Sequence, residues 1–359
     1  MKEFFEICGN KKSVKKFLEE FSTPGNQKER CIELGNIIVN NAKDNEFFRD
    51  FTHQPSALKD HVNDPFFESA GHASLITFMQ SISLATDIMD PDKNLLVLND
   101  TLEKNLEDLK SRRVHGYFYR SNIQLAPIGA LEIFEGQARL NQLQYLSRGL
   151  GIDNDLELYQ EEGFFEHPYG TALEWFLNLT GAEIPKEVNS PVINAFLLVC
   201  DLSINPSGGF TNVPYDFENF LFEVDPGTRF VRLCEQVRRN TDILSSVTGC
   251  TFTEYTEISD FLEKEAGFPK YSSFLAQVSD FISTDEKPKN LIGERERFGF
   301  GYENMPMRLL LASFLRFVAD KNICPEFFCW PGRHLSGENA KQKNADMFSR
   351  HLALFQDKP

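Results

Sequence analysis

A chain of 359 residues with 41% hydrophobic side chains and 34 phenylalanines has apolar material for one large core or two, which excludes an intrinsically disordered chain. Its net charge of −16 is concentrated in one region: residues 150–287 carry 24 acidic against 8 basic side chains, whereas 288–359 are slightly basic. A field of that sign repels phosphate backbones, so nucleic acid is not an expected partner; a basic partner protein or simple solubility accounts for it.

From the N-terminus, MKEFFEICGNKKSVKK interrupts its apolar residues with charges, so no secretory signal is expected. Val14, Phe17, Leu18 and Phe21 fall at helical spacing, as do Cys31, Leu34, Ile37 and Ile38. Asp64-Pro65 has the form of a helix start, a capping residue followed by proline at the first helical position, and Asp90-Pro91 repeats it before Leu95, Leu98, Leu102, Leu106 and Leu109. Ser190-Pro191 opens a further helix through AFLLVC at 195–200, the longest apolar run and far too short to cross a bilayer. Asn304 and Pro306 bracket the start of another, MRLLLASFLRFVAD. HGYFYRSN at 115–122 and CTFTEYTEI at 250–258 have extended character but no convincing hairpin turn. The expected fold is therefore mainly α, a multi-helix globular fold with one small β-ribbon at most.

INPSGGFTNVPYD at 204–216 is the strongest breaker stretch, and STDEKPKN at 283–290 reads as a second exposed linker. The expected division is a helical domain over 1–204, a linker or long loop over 205–216 and a second helical domain over 217–359; a single large domain is the alternative. The seven cysteines, Cys8, Cys31, Cys200, Cys234, Cys250, Cys324 and Cys329, include no CxxC pair, the usage of reduced thiols in a cytoplasm.

The segment IFEGQARL at 133–140 raises the sharpest question. On a helical wheel a polar stripe of Glu132, Glu135, Arg139 and Gln142 runs down a helix that is otherwise apolar on every side, which predicts burial. One reading is a Glu135–Arg139 pair at i,i+4, with Gly136 permitting close approach of a neighbouring helix. The other makes Glu132 and Glu135 metal ligands or acid–base groups held by Arg139.

Further candidates lie along the chain. Glu68 and His72, at i,i+4, leave one helical face and could share a metal ion. Asp201 and Glu174 sit in apolar surroundings where an acid must find a partner, with Arg139 one possibility, and His167 stands at a loop entering a helix. Glu135, His167, Glu174 and Asp201 together would make a carboxylate-rich pocket suited to iron or manganese. Phe134, Tyr145, Trp175 and Phe176 could wall a small apolar pocket. EFFCWPGRH at 326–334 places Arg333 and His334 together at the end of an apolar stretch, as a surface pair or a docking loop. No G-x-S-x-G elbow, third Rossmann glycine after Gly299 and Gly301, or Walker A pattern occurs. Two functions are compatible with this inventory. The first is a cytoplasmic, non-catalytic interaction or regulatory module that binds a partner protein or itself, without membrane or nucleic acid. The second is an iron- or manganese-dependent enzyme with Glu135, Arg139 and Asp201 at its centre.

Overall fold

The computed structural model describes residues 15–16, 18–20, 22–23, 25, 27–60, 69–86, 102–121, 125–152, 154–208, 216–297, 299 and 305–354. The fold is mainly α, as expected. Among the described residues the β pairing is a single isolated bridge, Asp155 to Glu187, and neither proposed extended segment is a strand. Residues 115–121 form turns. The 250–258 segment is helical instead, because Thr251 and Glu254 form a reciprocal cap: the Thr251 hydroxyl accepts the Glu254 N–H at 3.2 Å, and the Glu254 carboxylate accepts the Thr251 N–H at 2.7 Å.

The chain divides into two compact units, one over 1–51, 56–125 and 209–221, the other over 52–55, 126–208 and 222–359. Most of 205–216 lies outside the described residues, as do the starts at Asp64-Pro65 and Asp90-Pro91. The first unit contains most of α1 (Gln27–His53), with α2 (Ala70–Thr86) and α3 (Leu102–Ser111). Ile37, Phe47, Phe51, Leu75 and Leu109 are buried. Tyr117 is pinned there by donating its hydroxyl to the Phe217 carbonyl at 2.6 Å.

The second unit contains α4 (Ala130–Leu150), α5 (Leu156–Glu161), α6 (Thr171–Thr180), α7 (Pro191–Ile204), and then, after the short turn α8 (Phe220–Val224), α9 (Pro226–Arg239) and α10 (Ile243–Ser246). It continues with α11 (Phe252–Ala266), α12 (Tyr271–Thr284), α13 (Glu286–Arg297), α14 (Met305–Ile323), α15 (Pro325–Cys329), α16 (Pro331–His334) and α17 (Gln342–Arg350). The expected linker at 283–290 is thus mostly helix. Asp285 ends α12 and accepts the Lys287 N–H at 2.8 Å, which starts the next helix with Pro288 in its first turn.

Helix α7 is the axis of this unit. Ser190 caps it by accepting the Ile193 N–H, Pro191 occupies its first position, and every residue from Ile193 to Ser203 is buried. A helix apolar on all faces must be enclosed, and α4, α9, α10, α11 and α15 pack around it. The polar groups inside are paired across helices. Asn194 donates to the Val247 carbonyl at 2.9 Å and accepts from Gln144 at 3.0 Å, while Trp330, fully buried, donates its indole N–H to the Asn194 carbonyl at 3.0 Å. No helix among the described residues is long and apolar enough to cross a membrane, and Cys31, Cys200, Cys234, Cys250, Cys324 and Cys329 are all free thiols.

Candidate functional site

The polar stripe of α4 is divided among separate tasks. Glu132 is buried and accepts the Gly129 N–H at 2.9 Å, closing the start of its own helix. Glu135 is half-buried and makes no ion pair with Arg139. The Arg139 guanidinium instead lies 4.2 Å from the centre of the Tyr169 ring and donates to Gln142 at 3.0 Å. Gly136 faces the core, where an added Cβ would stand 3.3 Å from the Ala172 Cβ and 3.4 Å from Phe196, so α6 and α7 approach closely there. The helix is not buried all round: Phe134, Ala138, Gln142 and Tyr145 are exposed on the face opposite Ile133, Gly136, Leu140 and Leu143.

Glu68 lies outside the described residues, and His72 is half-buried in the first turn of α2, in the other unit. His167 is exposed, with Nδ1 3.2 Å from the Thr171 hydroxyl, and Glu174 is exposed on the first turn of α6 rather than buried. Among the described residues no group of three or more histidine, cysteine, aspartate and glutamate side chains is placed to hold a metal ion. The proposed aromatic pocket is likewise not assembled, because Phe134, Tyr145 and Trp175 reach solvent whereas Phe176 is in the core.

Asp201 is the candidate the structure places at the centre of something. Its partner is Lys321 of α14, not Arg139: Nζ donates to Oδ1 at 2.7 Å, and the Tyr255 hydroxyl donates to Oδ2 at 2.9 Å. Asn205 adds a longer bond to Oδ1 at 3.3 Å, and the Lys321 ammonium faces the Tyr271 ring at 5.1 Å. Beside this pair Arg229 covers the C-terminal end of α7, donating to the Leu202 carbonyl at 2.7 and 3.1 Å and to the Asn205 carbonyl at 3.3 Å. A cation there satisfies carbonyls that the helix leaves open and suits its negative end. Glu263 of α11 accepts the Tyr271 N–H at 2.9 Å, and its other oxygen stands 3.9 Å from Arg229. Asp201, Arg229, Tyr255, Glu263, Tyr271 and Lys321 are all at most 3% exposed.

Burial sets the electrostatics of this cluster. It pushes the Glu263 carboxyl up to about 7, against the pull of the Tyr271 N–H and the Arg229 charge. It also raises the phenols of Tyr255 and Tyr271 and the thiols of Cys200 and Cys329, which are therefore protonated and unreactive. The arrangement ties α7, α9, α11, α12 and α14 to one another. Lys321, Arg229 and Glu263 were missed in the sequence, although each continues an apolar stripe. Lys321 follows Leu311, Leu315 and Val318 at helical spacing, and Arg229 precedes Leu233 by one turn.

Arg333 and His334 are half-buried, since EFFCWPGRH folds as the two helical turns α15 and α16. His334 Nε2 donates to the Cys250 carbonyl at 3.0 Å, and burial holds its pKa below the usual histidine value. No family model, curated protein or solved structure matches this chain.

Proposed function

We propose that this chain is a non-catalytic helical interaction module, and that it binds a basic, amphipathic segment of a partner protein along the outer face of α4. The observation that carries this reading is the row Phe134, Ala138 and Tyr145. Phe134 is 51% and Tyr145 42% exposed, on a helix whose other face is fixed in the core. Aromatic side chains presented on a rigid helix give large contact area with little conformational entropy left to lose. Glu135 borders the row, Glu174 is exposed on α6, and the region from 150 to 287 is strongly acidic, so the complementary surface is basic around an apolar stripe. The inner cluster adds no support for catalysis, because Asp201, Glu263 and Lys321 are withdrawn from solvent.

Selection from a random displayed peptide library tests this. Enriched peptides are expected to carry apolar residues at i, i+3 and i+4 spacing flanked by lysine or arginine. Their affinity should fall about tenfold or more in the double variant Phe134→Ser/Tyr145→Ser, as for truncated anchor residues. Replacing Phe252, exposed on α11, should leave it unchanged. Peptides that bind the double variant as well as the native chain, or no enrichment at all, would overturn the reading. A concentration-dependent dimer in sedimentation, abolished by the same double variant, would replace it with self-association.

A further inference from the structure

Helix α16 docks on α4, and this brings together two arginines from distant parts of the chain. The Gly332 N–H donates to the Asn141 side chain at 3.1 Å, and its Cα rests against the Asn141 backbone so closely that any Cβ would fall on the carbonyl oxygen. Arg333 follows directly, and Arg148 stands in the last turn of α4. Both are half-buried, and the Nε of each is buried without a hydrogen-bond partner. Neither guanidinium makes an ion pair with an acid among the described residues, although Arg30, Arg49, Arg112, Arg308, Arg316 and Arg350 all do. Gly337 lies beside Arg148, and a Cβ on it would be 4.0 Å from the guanidinium. Burial and then the Arg333 charge lower the Arg148 pKa, and Glu338, the nearby acid, opposes this without pairing. Lys341 and Lys343 extend the positive field over His334.

Arg333 thus lies between two points where its segment rests on α4, and two half-buried guanidiniums that act on one another and have no paired acid are costly unless an anion joins them. We infer that Arg148 and Arg333 form a binding site for a phosphate group, each presenting its N–H fork to one edge of a dianionic oxyanion. Arginine forks match phosphate oxygens in pairs, and the two positive charges balance a phosphate dianion. Arg148 follows Tyr145 by one turn of α4, but the inference rests on the unpaired guanidiniums and not on the aromatic row, and the variants that test the two are different. Free phosphate and a phosphate monoester share this chemistry.

Isothermal titration of the full chain with inorganic phosphate and with O-phosphoserine, in chloride buffer of matched ionic strength, tests it. Saturable one-to-one binding is expected, weakened about tenfold or more by Arg148→Gln or Arg333→Gln, the loss of one charge-assisted pair of bonds. Arg139→Gln should have no effect, because that guanidinium is stacked on Tyr169. Glu338→Gln should tighten binding by removing a competing negative charge. Tighter binding of O-phosphoserine identifies a monoester as the source, and equal binding identifies free phosphate. Melting curves in chloride establish that each variant is folded. If a glutamine variant is not, Arg148→Lys and Arg333→Lys keep the charge, lose the fork and should weaken binding selectively. No saturable heat at about 10 mM phosphate, or binding undiminished in the variants, overturns the inference.

Discussion

Asp201 and Lys321 have both been removed from water, and each is tolerable there because of the other. Lys321→Met keeps the length of the side chain but leaves a buried carboxylate with only Tyr255 and Asn205, and stability should fall by about 3–5 kcal/mol. Adding Asp201→Asn to that variant removes the stranded charge, keeps an acceptor for Tyr255, and should restore most of the loss. Urea unfolding followed by tryptophan fluorescence is a suitable readout, since Trp175 and Trp330 both lie in the second unit. Additive effects of the two substitutions would contradict a coupled pair. Glu263 gives the complementary pH prediction. Its folded pKa, about 7, is above the ordinary 4.5, so the folded chain holds a proton that the unfolded chain releases. The contribution is therefore most favourable below about pH 4.5 and is lost as pH rises through 7, by about 3 kcal/mol in all. Asp225, raised to about 6 by burial, acts in the same direction. Asp320 acts in the opposite one, because hydrogen bonds from His351 and Arg350 outweigh its burial and lower its pKa. The informative quantity is thus the difference between Glu263→Gln and the native chain, which should grow in the variant's favour from pH 5 to pH 8. Parallel profiles would place the Glu263 proton elsewhere.

At the scale of helices, two glycines separate a tolerant contact from an intolerant one. Gly136→Ala gains about 1 kcal/mol of helix propensity and meets neighbours at 3.3–3.4 Å that must yield only slightly, so the net change should be small. Gly332→Ala puts a methyl group onto the backbone of α4, where nothing rotates away, and should cost about 2 kcal/mol or more while separating Arg333 from Arg148. The same urea unfolding measures both, and equal effects would mean that α16 is not seated on α4 as described. Which helices form was legible wherever the signal was local. Ser190-Pro191 marked α7 correctly, because capping needs only neighbouring residues. The start of α11 was misread because Thr251, Thr253 and Tyr255 alternate like a strand, while Thr251 and Glu254 carry the capping box that decides the matter. In the candidate site, Asp201 was recognisable as an acid in an apolar run. Its partner lies 120 positions away, and local spacing carries no information about which helix arrives there. Arg139 was paired with Glu135 for the same reason, since the Tyr169 ring that captures it comes from another segment.

For the whole molecule, the excess of acid makes opposite predictions for stability and for association. A net charge of −16 repels itself in the compact state, and salt screens that repulsion, with a Debye length falling from about 30 Å at 0.01 M to about 10 Å at 0.1 M. The melting temperature should therefore rise as sodium chloride is increased over that range. The affinity for a basic amphipathic peptide should fall over the same range, because the attraction that steers and holds it is screened too. Phe134→Ser/Tyr145→Ser separates the two effects. These side chains are about half exposed and neutral, so their replacement should change stability by no more than about 1–2 kcal/mol and leave its salt dependence intact. It should weaken peptide binding at every salt concentration, since the apolar contact does not depend on screening. A peptide affinity insensitive to salt would remove the acidic region from the interface and leave the aromatic row to account for binding alone.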